Sequence, residues 1–171
     1  TLGDLINASG IQVSGAVAGS IHQNTSDAKS TGQIDQALLS VAYLPKEGFG
    51  AAVDVASGDY NDQLGKVGNP GTSTALTQAY LQYKSGAMTV QAGRFYTAAG
   101  YEVFPVAGNL FVTRSVAFAG SSVAGADFAG EATYHTGLRA SYVSSDTLTF
   151  NVGLNDGIYS NRDNEASLLK E

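Results

Sequence analysis

The sequence predicts an all-β protein, an antiparallel transmembrane β-barrel, and three observations carry that prediction. Charged residues are scarce: Asp, Glu, Lys and Arg make up 14% of the chain, against roughly 25% in soluble domains. Segments of about ten residues alternate between apolar and polar positions, the pattern of strands with two unlike faces. The links between them alternate between short and long, as they do when one end of a barrel carries turns and the other carries loops.

The 171 residues are enough for one domain, either a barrel domain or the N-terminal part of one, with residues 1–10 as a periplasmic N-terminus. The first strand spans 11–22, with Ile11, Val13, Gly15, Val17, Gly19 and Ile21 on one face and Gln12, Ser14, Ala16, Ala18, Ser20 and His22 on the other. The second spans 35–44, with Ala37, Leu39, Val41 and Tyr43 in one phase. The third spans 49–58, with Ala51, Val53 and Val55 opposite Ala52, Asp54 and Ala56. The fourth, 76–85, sets Ala79, Leu81 and Tyr83 against Gln78, Tyr80, Gln82 and Lys84. The fifth, 87–96, places Met88, Val90 and Ala92 on the apolar side and Thr89 and Gln91 on the polar side. The sixth, 134–143, sets Leu138, Ala140 and Tyr142 against Gly137, Arg139 and Ser141. The seventh, 147–156, sets Leu148, Phe150, Val152 and Leu154 against Thr149, Asn151, Gly153 and Asn155.

Links 23–34, 59–75 and 97–133 are long. Links 45–48, Ser85-Gly86-Ala87 and Ser144-Ser145-Asp146 are short. A soluble sandwich has no physical reason to sort its links in this way. An extra strand over Phe111 to Phe118 would break the alternation twice, so 97–133 is read as one long loop. The eight-stranded alternative, a small closed barrel with a side-chain-filled interior, follows if that segment is a strand.

Composition excludes several other classes. No apolar run approaches the ~18 residues of a spanning helix, although mean hydropathy is only −0.03. Cysteine is absent, which removes disulfides and thiolate metal sites. A net charge of −6 argues against nucleic acid as a partner. Thr1-Leu2-Gly3-Asp4 shows no signal peptide, so an exported protein would here be in its mature form. His22 and His135 are distant, no serine lies in a G-x-S-x-G elbow, and no enzyme or cofactor is expected. Asp156, Asn161, Asp163 and Glu165 are oxygen-rich, as are Asp59, Asn61 and Asp62, but neither group has EF-hand spacing. Both are read as polar loops. Gly68 and Gly71 flank Pro70 in a turn.

Five stretches carry a family resemblance: I-Q-V-S-G-A-V at 11–17, L-T-Q-A-Y-L-Q-Y at 76–83, V-Q-A-G-R-F-Y-T-A-A-G-Y-E at 90–102, H-T-G-L-R-A-S-Y at 135–142 and L-N-D-G at 154–157. With them the chain resembles the outer-membrane porins of Gram-negative bacteria and, more narrowly, the putative β-barrel porin family, the second class of that name. The resemblance implies a larger, typically sixteen-stranded barrel, often trimeric, that passes small hydrophilic solutes by diffusion. It also implies a bacterial outer-membrane location, with lipid and lipopolysaccharide around it. The seven segments and the C-terminal Ser-Leu-Leu-Lys-Glu, which is not a terminal aromatic strand, then mark the N-terminal portion of such a barrel.

On this reading the loop 97–133 folds inward and narrows the channel, as the loop after the fifth strand does in porins. Its Glu102, Asp127 and Glu131 would face Arg94 and Arg139 on the wall, with Asp54 as a further lumen carboxylate and Arg114 of open orientation. Charged rings of this kind select among ions. Arg94 needs a reason, because it falls in the lipid phase, where a mid-membrane Arg costs ~2–4 kcal/mol. Either it lies above the apolar band, or a bulge at Gly93 turns it inward. The bulge is the expectation adopted, and it returns Tyr96 outward as an interface aromatic. The competing reading is a soluble carbohydrate-binding β module that stacks sugars on Tyr80, Tyr83, Tyr96 and Tyr101.

Overall fold

The computed structural model describes residues 2–23, 30–58, 74–98, 100–111 and 134–155. Among them are seven strands: β1 (Gln12–Gln23), β2 (Ser30–Tyr43), β3 (Gly48–Ser57), β4 (Thr74–Ser85), β5 (Met88–Tyr96), β6 (Tyr134–Ser145) and β7 (Leu148–Asn155). They form one sheet in sequence order, each strand antiparallel to the next. The sheet is open, with β1 and β7 at its edges.

All seven predicted strands are present, with corrected ends. β2 begins at Ser30 rather than 35, because Ser30, Thr31 and Gly32 continue the ladder opposite Gln23, His22 and Ile21. β4 begins at Thr74, paired with Ser57. One element was not anticipated: Leu2–Ser9 forms a short helix, α1, with Asp4 in its first turn, where a carboxylate favours the helix dipole. It ends at Gly10, whose φ of 72° suits a left-handed C-terminal stop. The eighth-strand alternative at 111–118 falls outside the described residues except for Phe111, which is irregular.

Links 44–47, 86–87 and 146–147 lie at one end of the sheet, and the strand ends Gln23 and Ser30, Ser57 and Thr74, and Tyr96 and Tyr134 pair at the other. The two-residue link 86–87 closes tightly because Gly86 takes a φ of 55°. Neighbouring turns are tied together here. Both carboxylate oxygens of Glu47 accept the Gly86 N–H, at 3.0 and 3.2 Å, and Val143 N–H donates to the Ala87 carbonyl. Glu47→Ala is therefore expected to cost about 1 kcal/mol, read as a lower midpoint in urea unfolding with an unchanged slope.

Each strand sorts its side chains by phase. Val13, Val17 and Ile21 of β1, Leu39 and Val41 of β2, Val53 and Val55 of β3, and Leu81 of β4 share one face with Leu138, Val152 and Leu154. That face is bare: Ile21 is 82% exposed and Leu81 65%. Among the described residues, the aromatics Tyr43, Phe49, Tyr83, Tyr142 and Phe150 of this face lie near the short-turn end. The Phe49 and Tyr83 rings lie 4.8 Å apart at 53°. The other face is polar along its middle and carries the described part of the loop after β5. The small core sits there, where Phe104 packs on Ala56 and Ala75 with Leu38, Tyr96 and Tyr134 around it.

Candidate functional site

The polar face is where chemistry concentrates, and two of the three register shifts among the described strands shape it. In the β1–β2 ladder Ala18 pairs with Gln36 and Gly19 with Ile34, so Asp35 is an extra residue. In the β3–β4 ladder Asp54 pairs with Gln78 and Val55 with Leu76, so Thr77 is extra. A bulge lets two consecutive side chains point the same way. Asp35 with Gln36, and Thr77 with Gln78, thus all enter the polar face, and all but the half-buried Gln78 are fully buried.

The first pair serves two neighbours. Asp35 Oδ1 accepts from the Ser20 hydroxyl (2.8 Å) and from Gln33 Nε2 (2.6 Å), while its Oδ2 is buried without a partner among the described residues. Ser20 also bonds His22 Nε2 at 2.7 Å. Gln36 turns to the loop: its Oε1 accepts the Val106 N–H at 2.8 Å, and its Nε2 donates to the Phe104 carbonyl at 3.5 Å. The second pair reaches β3 and the end of β5. Thr77 Oγ1 lies 2.8 Å from the Tyr96 hydroxyl. Gln78 donates to Asp54 Oδ2 at 3.2 Å and accepts the Tyr96 N–H at 3.2 Å.

Nearer the short turns a second polar row crosses β4, β5 and β6. Gln82, Gln91 and Arg139 are successive partners in the ladders. Gln91 Nε2 donates to Gln82 Oε1 at 3.2 Å, which fixes the Gln91 amide so that its Oε1 faces Arg139. Arg139 donates twice to that oxygen, from Nε at 2.9 Å and from Nη2 at 2.6 Å, and from Nη1 to the Tyr96 carbonyl. Its guanidinium lies 4.3 Å from the Phe95 ring centroid. All these partners are neutral, so they hold the positive charge in place and no partner among these described residues cancels it.

The predicted site residues divide as follows. Asp54 and Arg139 are on the polar face. Glu102 is half-buried in the loop. Arg114, Asp127 and Glu131 lie outside the described residues, as do Asp59, Asn61, Asp62, Gly68, Pro70, Gly71, Asp156, Asn161, Asp163 and Glu165. Arg94 requires a correction. The ladders on both sides of Gly93 keep their register, so no bulge occurs there. Gly93 instead allows close backbone approach to Tyr80, and Arg94 stays in the apolar phase opposite Ala79 and Thr136. It sits two residues from the long-loop end of β5, donates to the Leu76 carbonyl at 3.0 Å and lies 4.6 Å from the Tyr134 ring centroid. Tyr96 is likewise not an outward aromatic, since its hydroxyl meets Thr77 and its ring stacks on Phe104 at 5.5 Å.

The tyrosines proposed as a sugar platform do not form one. Tyr83 lies on the apolar face and Tyr80 on the polar face; Tyr96, in the ladder phase of Arg94 but at the end of β5, turns its ring to Thr77 and Phe104; and Tyr101 is an exposed loop residue. Sequence reasoning missed Asp35, Gln36 and Thr77. The signal for them is a pair of adjacent polar residues that interrupts an alternating run, D-Q at 35–36 and T-Q at 77–78.

No individual curated protein and no solved structure matches the chain. A family model does: the one described as putative beta-barrel porin-2, OmpL-like, matches residues 10–169. With one antiparallel sheet, a bare apolar face and a polar face that carries a loop, the chain belongs to that β-barrel porin family.

Proposed function

We propose that this chain forms wall and constriction of a passive diffusion channel in the bacterial outer membrane, open to small hydrophilic solutes and ions. The observation that carries the reading is the bare face. Monomeric soluble proteins rarely expose contiguous apolar patches beyond a few hundred Å², yet here every strand contributes exposed apolar side chains to the same side. Hydrocarbon tails are the medium that accepts such a surface. The aromatics gathered at the short-turn end match the girdle that a barrel places at a membrane interface.

The open edges support a larger barrel. A lipid-exposed sheet edge leaves backbone groups without partners. β1 and β7 run in the same direction, so an all-antiparallel closure takes an odd number of additional strands. Trimeric association and contact with lipopolysaccharide belong to the same proposal.

Within the channel, Arg139 supplies a fixed positive charge, Asp54 and Glu102 supply negative ones, and residues 103–109 occupy cross-section. Asp127, Glu131 and Arg114 complete the proposed constriction. Arg94, on the other face, is not part of it. The test is reconstitution in planar bilayers: step-wise ohmic conductance is expected, and a folded, heat-modifiable protein that never conducts would overturn the reading. In the same assay Arg139→Gln is expected to move the reversal potential in a salt gradient toward cation preference, because one lumen cation is lost.

A further inference from the structure

We infer that Gln36 and Tyr96 are positioning residues that clamp the loop segment 103–109 to the wall and so set the channel's narrowest cross-section; this rests on the channel reading above. The segment is braced internally. Asn109 Oδ1 accepts the Val103 N–H at 2.9 Å, and its Nδ2 donates to the carbonyls of Val103 and Pro105 at 2.8 and 3.3 Å. Val106–Gly108 closes as a single 3₁₀ turn. The result is a compact knot cross-linked by its own hydrogen bonds.

Besides the packing of Phe104 on Ala56 and Ala75, two attachments among the described residues issue from bulges. The β2 bulge turns Gln36 inward, where it is 3% exposed and takes both the Val106 N–H and the Phe104 carbonyl. The β4 bulge turns Thr77 inward, where it holds the Tyr96 hydroxyl, and the Tyr96 ring stacks on Phe104, itself 1% exposed. Without the extra residue in β2, one of Asp35 and Gln36 would face the apolar side. The bulges place the loop's anchors where strict alternation would not. The Gln36 bonds are buried and the Thr77–Tyr96 bond is half-buried, and hydrogen bonds made away from water are costly to break without replacement. The knot is therefore a fixed constriction rather than a swinging gate.

The chain has no cysteine, so a nitroxide on Ala107→Cys, an exposed site in the knot, reports its motion cleanly. Gln36→Ala and Tyr96→Leu are each expected to sharpen the label's spectrum toward free rotation and, together, to raise unit conductance and the largest permeant solute. Gln36→Glu keeps an acceptor for the Val106 N–H but loses the donor to the Phe104 carbonyl, so its label is expected to fall between wild type and Gln36→Ala. Tyr96→Phe keeps the stack and loses the hydroxyl contact, so its label is expected to be intermediate.

An immobile label in Gln36→Ala overturns the clamp. A mobile label with unchanged conductance and solute cut-off overturns the constriction role, while a conducting wild type leaves the channel reading intact. A non-conducting wild type removes the channel reading and the width assignment together, and the label then still decides whether Gln36 holds the loop.

Discussion

Leu81→Arg is expected to destabilise the folded protein by ~2–4 kcal/mol when it is embedded in vesicles, the cost of a cation near the bilayer midplane. Leu81 is 65% exposed and belongs to the row Ala51, Leu81, Ala92, Leu138, Leu154 across the apolar face. It stands two residues inward of the aromatic Tyr83. The two media predict different outcomes from the same geometry. On a water-exposed surface an arginine at such a position changes stability by roughly ±0.5 kcal/mol. In lipid the charge has no water to meet, and the side chain must snorkel or thin the bilayer. Urea unfolding from phosphatidylcholine vesicles measures the difference. Ser40→Arg is the control, since Ser40 pairs with Asp54 on the polar face and an added arginine there meets water and a carboxylate. If Leu81→Arg and Ser40→Arg unfold together with the wild type, the apolar face does not meet hydrocarbon.

That face was legible because strand alternation states it directly. Val53-Asp54-Val55 assigns three neighbours to two sides without any knowledge of partners, and the structure agrees at each of them. The sorting of links by end was legible for the same reason, since turn length follows from where apolar runs stop. What period reading cannot cross is a break in phase. The predicted second and fourth strands start at 35 and 76, beside the two bulges. One extra residue shifts every later position to the other side, so an alternating run appears to end where the strand in fact continues. Asp35, Gln36 and Thr77, which organise the polar face, lie in that blind spot. Arg94 shows the converse error. A glycine before a charged residue in a strand suggested a bulge, but a glycine also serves where two backbones come close, and only the register distinguishes the two. The Gln82–Gln91–Arg139 row was half visible: the phase of each residue could be read, but their pairing depends on how β4, β5 and β6 align.

The close approach at Gly93 leads to the second large effect. Gly93→Ala is expected to destabilise the sheet by about 1–3 kcal/mol from its backbone conformation, with a comparable ~1–3 kcal/mol from crowding. Gly93 has a φ of 131°, a region that side chains avoid. An added Cβ would meet the Ala79 carbonyl oxygen and would lie 2.8 Å from Tyr80 Cα. Its ladder partner Gly137 marks a second close approach, on the β7 side: a Cβ added there would meet the Leu154 carbonyl oxygen and lie 2.9 Å from Asn155 Cα. Gly86→Asn separates loss of glycine from loss of space. Gly86 also has a positive φ, of 55°, but nothing stands within 4 Å of its would-be Cβ, and Asn tolerates that conformation, so near wild-type stability is expected. The two costs of Gly93→Ala should also appear in function. Gln91 is two residues along β5 from Gly93, and its 3.2 Å bond to Gln82 fixes the amide that holds Arg139. Displacing β5 against β4 loosens that bond, so the surviving folded fraction should show weaker ion selectivity than the wild type. A Gly93→Ala protein that unfolds at the wild-type urea midpoint with wild-type reversal potential would mean that β4 and β5 stand farther apart than the ladder requires, and that Arg139 is held by something other than the Gln82–Gln91 row.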